Sequence, residues 1–174
     1  GRGYAARVLS ASLEAMRARG EVTSVLYPQV VRPYRNLGWE MAGTLVFRQV
    51  SPRSLATIGA PDVPIHRATD TDGAVVRACY TRVARTVNGS VDRPDGRWAW
   101  IFERFADDFL YVAGADGYVL YRHVDPPPAG PEGFRLLVLD LVAATPDALR
   151  ALWKMLGAAS SVVPTIFFRS GPND

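Results

Sequence analysis

Two short stretches carry residues whose types and spacing can do chemistry. The first is Gly1-Arg2-Gly3-Tyr4-Ala5-Ala6, where a glycine turn opens directly into a helical pattern. Such a turn leaves backbone N–H groups unpaired beside the positive end of a helix dipole, which suits a pyrophosphate. Gly1 and Gly3 permit close approach of the backbone, and Arg2 adds a cation. The donors would be the backbone N–H groups of Arg2, Gly3, Tyr4, Ala5 and Ala6, with Arg7 on the surface. The second stretch is "PYRNLGWE", whose Tyr34 can hand a proton to a departing group. A boundary tyrosine of the core is the plainer reading of Tyr34, and Asn36 either touches a ligand or caps its own segment.

The elements that must position these residues follow from periodicity. Ala5, Leu9, Leu13 and Met16 recur at helical spacing, and Arg17, Arg19 and Gly20 supply a basic last turn and a stop. "EVTSVLY", residues 21–27, is β-branched, short and apolar, and predicts a buried strand. "QVVRPYRNLG" predicts a short irregular helix closed by Gly38, and "WEMAGTLVFRQV", residues 39–50, a bent strand or hairpin. Pro and Gly then thicken between residues 51 and 69, which marks a linker.

A second unit, residues 70–174, follows. Val76, Tyr80 and Val83 predict one amphipathic helix, and Trp98, Ile101, Phe102 and Phe105 another. "DFLYVAGA", "GYVLYRHV" and "FRLLVLDLVAA" predict three antiparallel strands, the last two separated by the Pro-rich loop "DPPPAGPEG". Thr145 caps a final helix with Pro146 at its first position and a stripe of Leu149, Leu152, Trp153 and Leu156, before a closing strand in "SVVPTIFF". The fold class is α+β, and the two units have the order of an imperfect repeat.

Composition narrows the chemistry. Of 174 residues 48% are hydrophobic, enough for a real core, and the formal charge of +3 is spread without the dense basic run of a nucleic-acid tail. Cys79 is the single cysteine, so no internal disulfide forms, and a buried small hydrophobe in a reducing cytoplasm is the expectation. No apolar run approaches the roughly 20 residues of a membrane span. His66 and His123 lie far apart with no ligand-spaced partner, so no metal is expected. Trp98 and Trp100 read as core and interface residues.

The turn and the tyrosine segment together resemble the GNAT superfamily of acetyl-CoA-dependent N-acetyltransferases. Gly3-Tyr4-Ala5 matches the Gly-x-Gly/Ala part of that family's pyrophosphate turn, and Tyr34 to Trp39 matches its Tyr-x-x-x-Gly-aromatic segment. "VNGSVDRPDGRWAWIFERF", "GYVLYR" and "LVAATPDALRALWKML" are similar to the middle domain of Eis-type (enhanced intracellular survival) acetyltransferases.

The resemblance implies a GNAT-like mixed sheet with flanking helices. Residues 1–50 would be the C-terminal half of an acetyl-CoA-binding domain truncated at its N-terminus, and the second unit a degenerate GNAT-like domain. It implies Tyr34 as the proton donor to the thiolate, and Gly1, Arg2, Gly3, Tyr4, Ala5, Ala6 and Asn36 as the cofactor-binding set. It implies amine acceptors of the aminoglycoside or lysine kind, a homo-oligomer, a hexamer in that family, and neither nucleic acid nor membrane as partner. The family's general base, a C-terminal carboxylate, is expected outside this chain, since Asp174 ends the middle unit. "LVAATPDAL" puts Ala143, Ala144, Thr145 and Pro146 where the second unit would need glycines and N–H donors, so no CoA site is expected there. The alternative reading is a non-catalytic ligand-binding or oligomer-scaffold module of the same fold.

Overall fold

The computed structural model describes residues 3–59, 61–125 and 134–171. Gly1, Arg2, Asp174 and nearly all of the Pro-rich loop expected between the second and third strands lie outside these residues. The chain divides into two compact units, residues 1–44 and 45–174.

The first unit holds two helices. α1 (Tyr4–Ala18) follows the expected stripe, yet none of its residues is fully buried. The reversal at its end falls on Gly20, whose φ of 81° is open to glycine at no steric cost. α2 (Arg32–Arg35) carries Pro33 in its first turn and ends in a turn at Gly38, φ 97°. Residues 21–27, expected as a buried strand, instead form no regular element and have no ladder partner among the described residues. Val22, Val25 and Tyr27 are at least four-fifths exposed, at 95%, 80% and 81%. A β-branched run fits a pleated surface, but becomes a strand only with a neighbour to pair its N–H and C=O groups.

The second unit is a six-stranded sheet between two helical layers. Its strands are β1 (Val46–Val50), β2 (Ile65–Arg67), β3 (Phe109–Ala113), β4 (Gly117–Val124), β5 (Arg135–Ala143) and β6 (Ile166–Ser170), ordered β1-β6-β5-β4-β3-β2. Every neighbouring pair is antiparallel except β5 and β6. The parallel pair is connected by α6 (Pro146–Gly157), as a crossover requires. One face carries α4 (Gly73–Ala84) and α5 (Asp95–Arg104), with Val76, Cys79, Trp98 and Ile101 buried against Val112, Tyr118 and Val142. The other carries α6 and the short α3 (Pro52–Ala56), with Leu55, Leu152 and Leu156 buried against Val119, Val138 and Ile166.

Two expectations about organisation change here. The strand expected over residues 39–50 is only Val46–Val50, and it pairs along its length with β6, so the boundary falls after Thr44 rather than after residue 50. The segment 51–69, expected as a linker, contains α3 and β2. Pro52 sits at the start of a helix, where it removes no needed N–H, and Ile65–Arg67 pair with the edge of β3. In α6, Ala148, Ala151, Leu152 and Leu156 are buried while Leu149, expected in that stripe, is 39% exposed.

β5 contains one irregularity of consequence. Leu120 of β4 faces Asp140 and Tyr121 faces Val138, which leaves Leu139 as an extra residue, a β-bulge. The bulge shifts the alternation. Leu136 and Val138 point to the α6 face, whereas Val142 points to the α4–α5 face.

Candidate functional site

The glycine turn has the geometry a bound anion needs. Gly3 caps α1 at φ 67° and ψ 8°, the left-handed region that favours glycine, and nothing lies within 4 Å of a Cβ built there. No side chain caps the helix and no acidic residue stands in its first turn. Arg7 N–H donates to the Gly3 carbonyl at 3.2 Å, which leaves the N–H groups of Tyr4, Ala5 and Ala6 ahead of the helical ladder. These three side chains are exposed. The residues present therefore fit a pyrophosphate. Gly1 and Arg2, of the same expected set, lie outside the described residues.

Tyr34 sits in α2, half-buried, with the ring of Trp39 edge-on at 6.0 Å between centroids. The turn after it is held by Leu37 N–H and Trp39 N–H, which donate to the Tyr34 carbonyl at 2.9 and 3.2 Å. Arg35 donates from Nε to Glu40 at 3.0 Å, and this carboxylate raises the guanidinium pKa further above its ordinary value. Asn36 is the exposed C-cap residue of α2. Among the described residues no hydrogen bond or ring contact links the Gly3 turn to Tyr34. Residues 1–44 hold six arginines against three glutamates, which is the whole of the chain's formal +3.

The second unit closes the equivalent helix end. Thr145 Oγ1 accepts from Ala148 N–H at 3.2 Å, Pro146 has no N–H, and Asp147 adds a negative charge in the first turn of α6. A pyrophosphate does not fit there. Two features went unseen in the sequence. The first is a charged cluster beneath α4 and α5: Arg93 donates to Asp140 at 2.6 Å, Tyr118 Oη donates to the same carboxylate at 2.8 Å, and the Arg93 guanidinium lies 3.7 Å from the Tyr80 ring centroid. Burial, seconded by the Asp140 carboxylate, pushes the Tyr118 phenol far above its ordinary pKa. The cluster borders a cavity of about 350 Å³ walled by Trp98, Phe102 and Phe105. The second is a cleft of about 520 Å³ between β5 and β6. The lone acid inside "LLVLDLVA" was the one available signal of the first, and nothing local signals the second.

Two family models match the chain, each described as an acetyltransferase (GNAT) domain, one over residues 1–42 and one over residues 89–174. The chain belongs to the GNAT acetyltransferases. The GNAT fold is also found in its structural neighbours. A GCN5-related N-acetyltransferase from Kribbella flavida is 28% identical with a TM-score of 0.82, the match covering all of this chain and 42% of that one. A GCN5-related N-acetyltransferase from Anabaena variabilis is 21% identical with a TM-score of 0.86, covering all of this chain and 45% of that one. Eis1 from Mycobacterium abscessus is 23% identical with a TM-score of 0.67, covering 99% of this chain and 46% of that one. This GNAT chain thus spans less than half the length of these solved structures. No curated protein matches it. Among the described residues, no helix is long and apolar enough to cross a membrane, and no three His, Cys, Asp or Glu residues are grouped to hold a metal ion.

Proposed function

We propose that the first unit binds acetyl-CoA and that the chain serves N-acetyl transfer to a cationic amine, of the aminoglycoside kind or a lysine side chain. The observation that carries this reading is the uncapped, acid-free N-terminus of α1 behind a left-handed Gly3. The N–H groups of Gly3, Tyr4, Ala5 and Ala6 hold the pyrophosphate, Arg2 and Gly1 extend the cradle, and Asn36 meets the pantetheine arm. The positive balance of residues 1–44 favours the approach of a polyanion.

When bound, the cosubstrate supplies an acetyl group activated as a thioester. A neutral amine attacks the carbonyl carbon, the C–N bond forms and the C–S bond breaks. Tyr34 Oη gives its proton to the departing sulfur, and a general base takes the proton of the amine. A phenol matches an alkyl thiolate well enough in acidity for direct transfer. The oligomer is proposed as a homo-oligomer, and the compartment as the cytoplasm.

Thiol release from acetyl-CoA over a panel of amines, with products weighed by mass spectrometry, tests the reading in the intact protein. Tyr34→Phe is expected to lower kcat by about 10²-fold or more, the scale of a general acid, with KM for acetyl-CoA little changed. Unchanged turnover removes Tyr34 from the mechanism. Acetyl-CoA binding without turnover on any amine favours the ligand-binding module instead.

A further inference from the structure

We infer, on the reading of Tyr34 as proton donor, that Trp39 is its positioning residue: the indole ring fixes the direction of the phenol and acts on acetyl transfer only through it. The two residues are the ends of one backbone closure. Trp39 N–H donates to the Tyr34 carbonyl at 3.2 Å, and inside that bond Gly38 N–H donates to the Arg35 carbonyl at 3.1 Å. With Gly38 at φ 97°, the nested pair forms a Schellman motif, whose first and last side chains meet across the helix end. Here those side chains are Tyr34 and Trp39, edge-on at 6.0 Å between centroids.

The phenol needs such a support. Among the described residues its hydroxyl has no hydrogen-bond partner, so no polar anchor sets its position. A tyrosine χ1 has staggered wells, and a change of well carries the hydroxyl several ångström away. The Trp39 ring, standing against the Tyr34 ring, narrows that choice. A second tie across the same closure, Arg35 to Glu40, joins side chains that are 58% and 65% exposed, and pairs so open to water contribute little.

The indole N–H shows which part of Trp39 matters. Nε1 is shielded from water and meets no acceptor among the described residues. A buried donor without a partner is a cost to the fold, so the contribution of Trp39 to this turn is its ring. A phenylalanine can supply that ring and removes the unpaired donor.

Steady-state thiol release by the intact protein, with acetyl-CoA and the amine of the panel that turns over fastest, tests this. Trp39→Ala is expected to lower kcat about tenfold with KM for acetyl-CoA little changed, within the loss that a displacement of about 1 Å produces. Trp39→Phe should restore most of that rate, and Glu40→Gln should leave kcat unchanged. In the Tyr34→Phe background, Trp39→Ala should cost less than about twofold, because the hydroxyl it directs is gone. If Trp39→Ala fails to fold by circular dichroism, Gly38→Ala replaces it. No atom lies within 4 Å of the added Cβ, so that variant loosens only the turn, and kcat should fall with the same coupling to Tyr34. An equal loss in both backgrounds, a loss confined to KM, or Trp39→Phe as slow as Trp39→Ala would each overturn the inference and leave Tyr34 as donor. Full turnover by Tyr34→Phe, or turnover on no amine, removes the donor reading and the positioning role together.

Discussion

At the scale of single residues, Asp140 shows how one carboxylate sets both stability and its pH dependence. Its pair with Arg93 is about a fifth exposed on each side, at 22% and 19%, and Tyr118 adds a hydrogen bond. Asp140→Ala strands Arg93 between aromatic rings and is expected to cost about 2 kcal/mol in urea unfolding, below the roughly 3–5 of fully buried pairs. The alkaline limb belongs to the phenols. Tyr118 is raised by burial, and Tyr121 is pushed up to about 12 chiefly by burial, with Tyr111 beside it. The folded state holds these protons more tightly than the unfolded chain. The associated stability is complete below the unfolded value near 10 and is lost as pH rises past it. Denaturation midpoints between pH 9 and 12 should fall, and Tyr118→Phe should flatten that fall while lowering the plateau by about 1 kcal/mol for its lost hydrogen bond.

At the scale of elements, close approach between α3 and α6 depends on Gly157. A Cβ there would stand 2.7 Å from the Leu55 carbonyl carbon and 2.9 Å from Ala56 Cα, and against Ala56 N as well. Backbone cannot yield as a flexible side chain does, so Gly157→Ala should cost about 3 kcal/mol by chemical denaturation. Gly117→Ala meets only side chains, Ala148 at 3.0 Å and Leu152 at 3.1 Å, and should cost less. Leu139 gives a different expectation. Its deletion leaves Val138 opposite Tyr121 and Asp140 opposite Leu120, so the variant should fold with a regular ladder, visible by NMR as unbroken cross-strand amide contacts between β4 and β5. The elements legible from sequence were those whose signals are local. β4 begins at Gly117 after a glycine turn, and α6 begins at Pro146 after Thr145, as their residue types dictate. The fate of residues 21–27 and the partner of β1 were not legible, because a strand is decided by a neighbour distant in sequence. For the candidate site the glycine of the Gly3 turn was readable, since only the backbone matters there. Asp140 was not, because without the bulge the alternation puts it on the wrong face.

At the scale of the whole molecule, stability and charge are divided unequally. Every buried hydrophobic residue named in the core lies at or beyond Leu55. Residues 45–174 should therefore unfold cooperatively when expressed alone, whereas residues 1–44, with no fully buried side chain in either helix, should show little helix by circular dichroism. The six-to-three balance of the first 44 residues carries the net charge, so the larger unit has 14 basic and 14 acidic residues and a formal charge of zero. A protein at zero net charge lacks the mutual repulsion that keeps molecules apart in solution. The arginines placed to greet a polyanion thus also act as a colloidal stabiliser. Freed of them, the larger unit should precipitate or self-associate most readily near neutral pH, while the whole chain, with its isoelectric point near 9.3, stays dispersed there. Light scattering of both against pH would separate the two solubility minima.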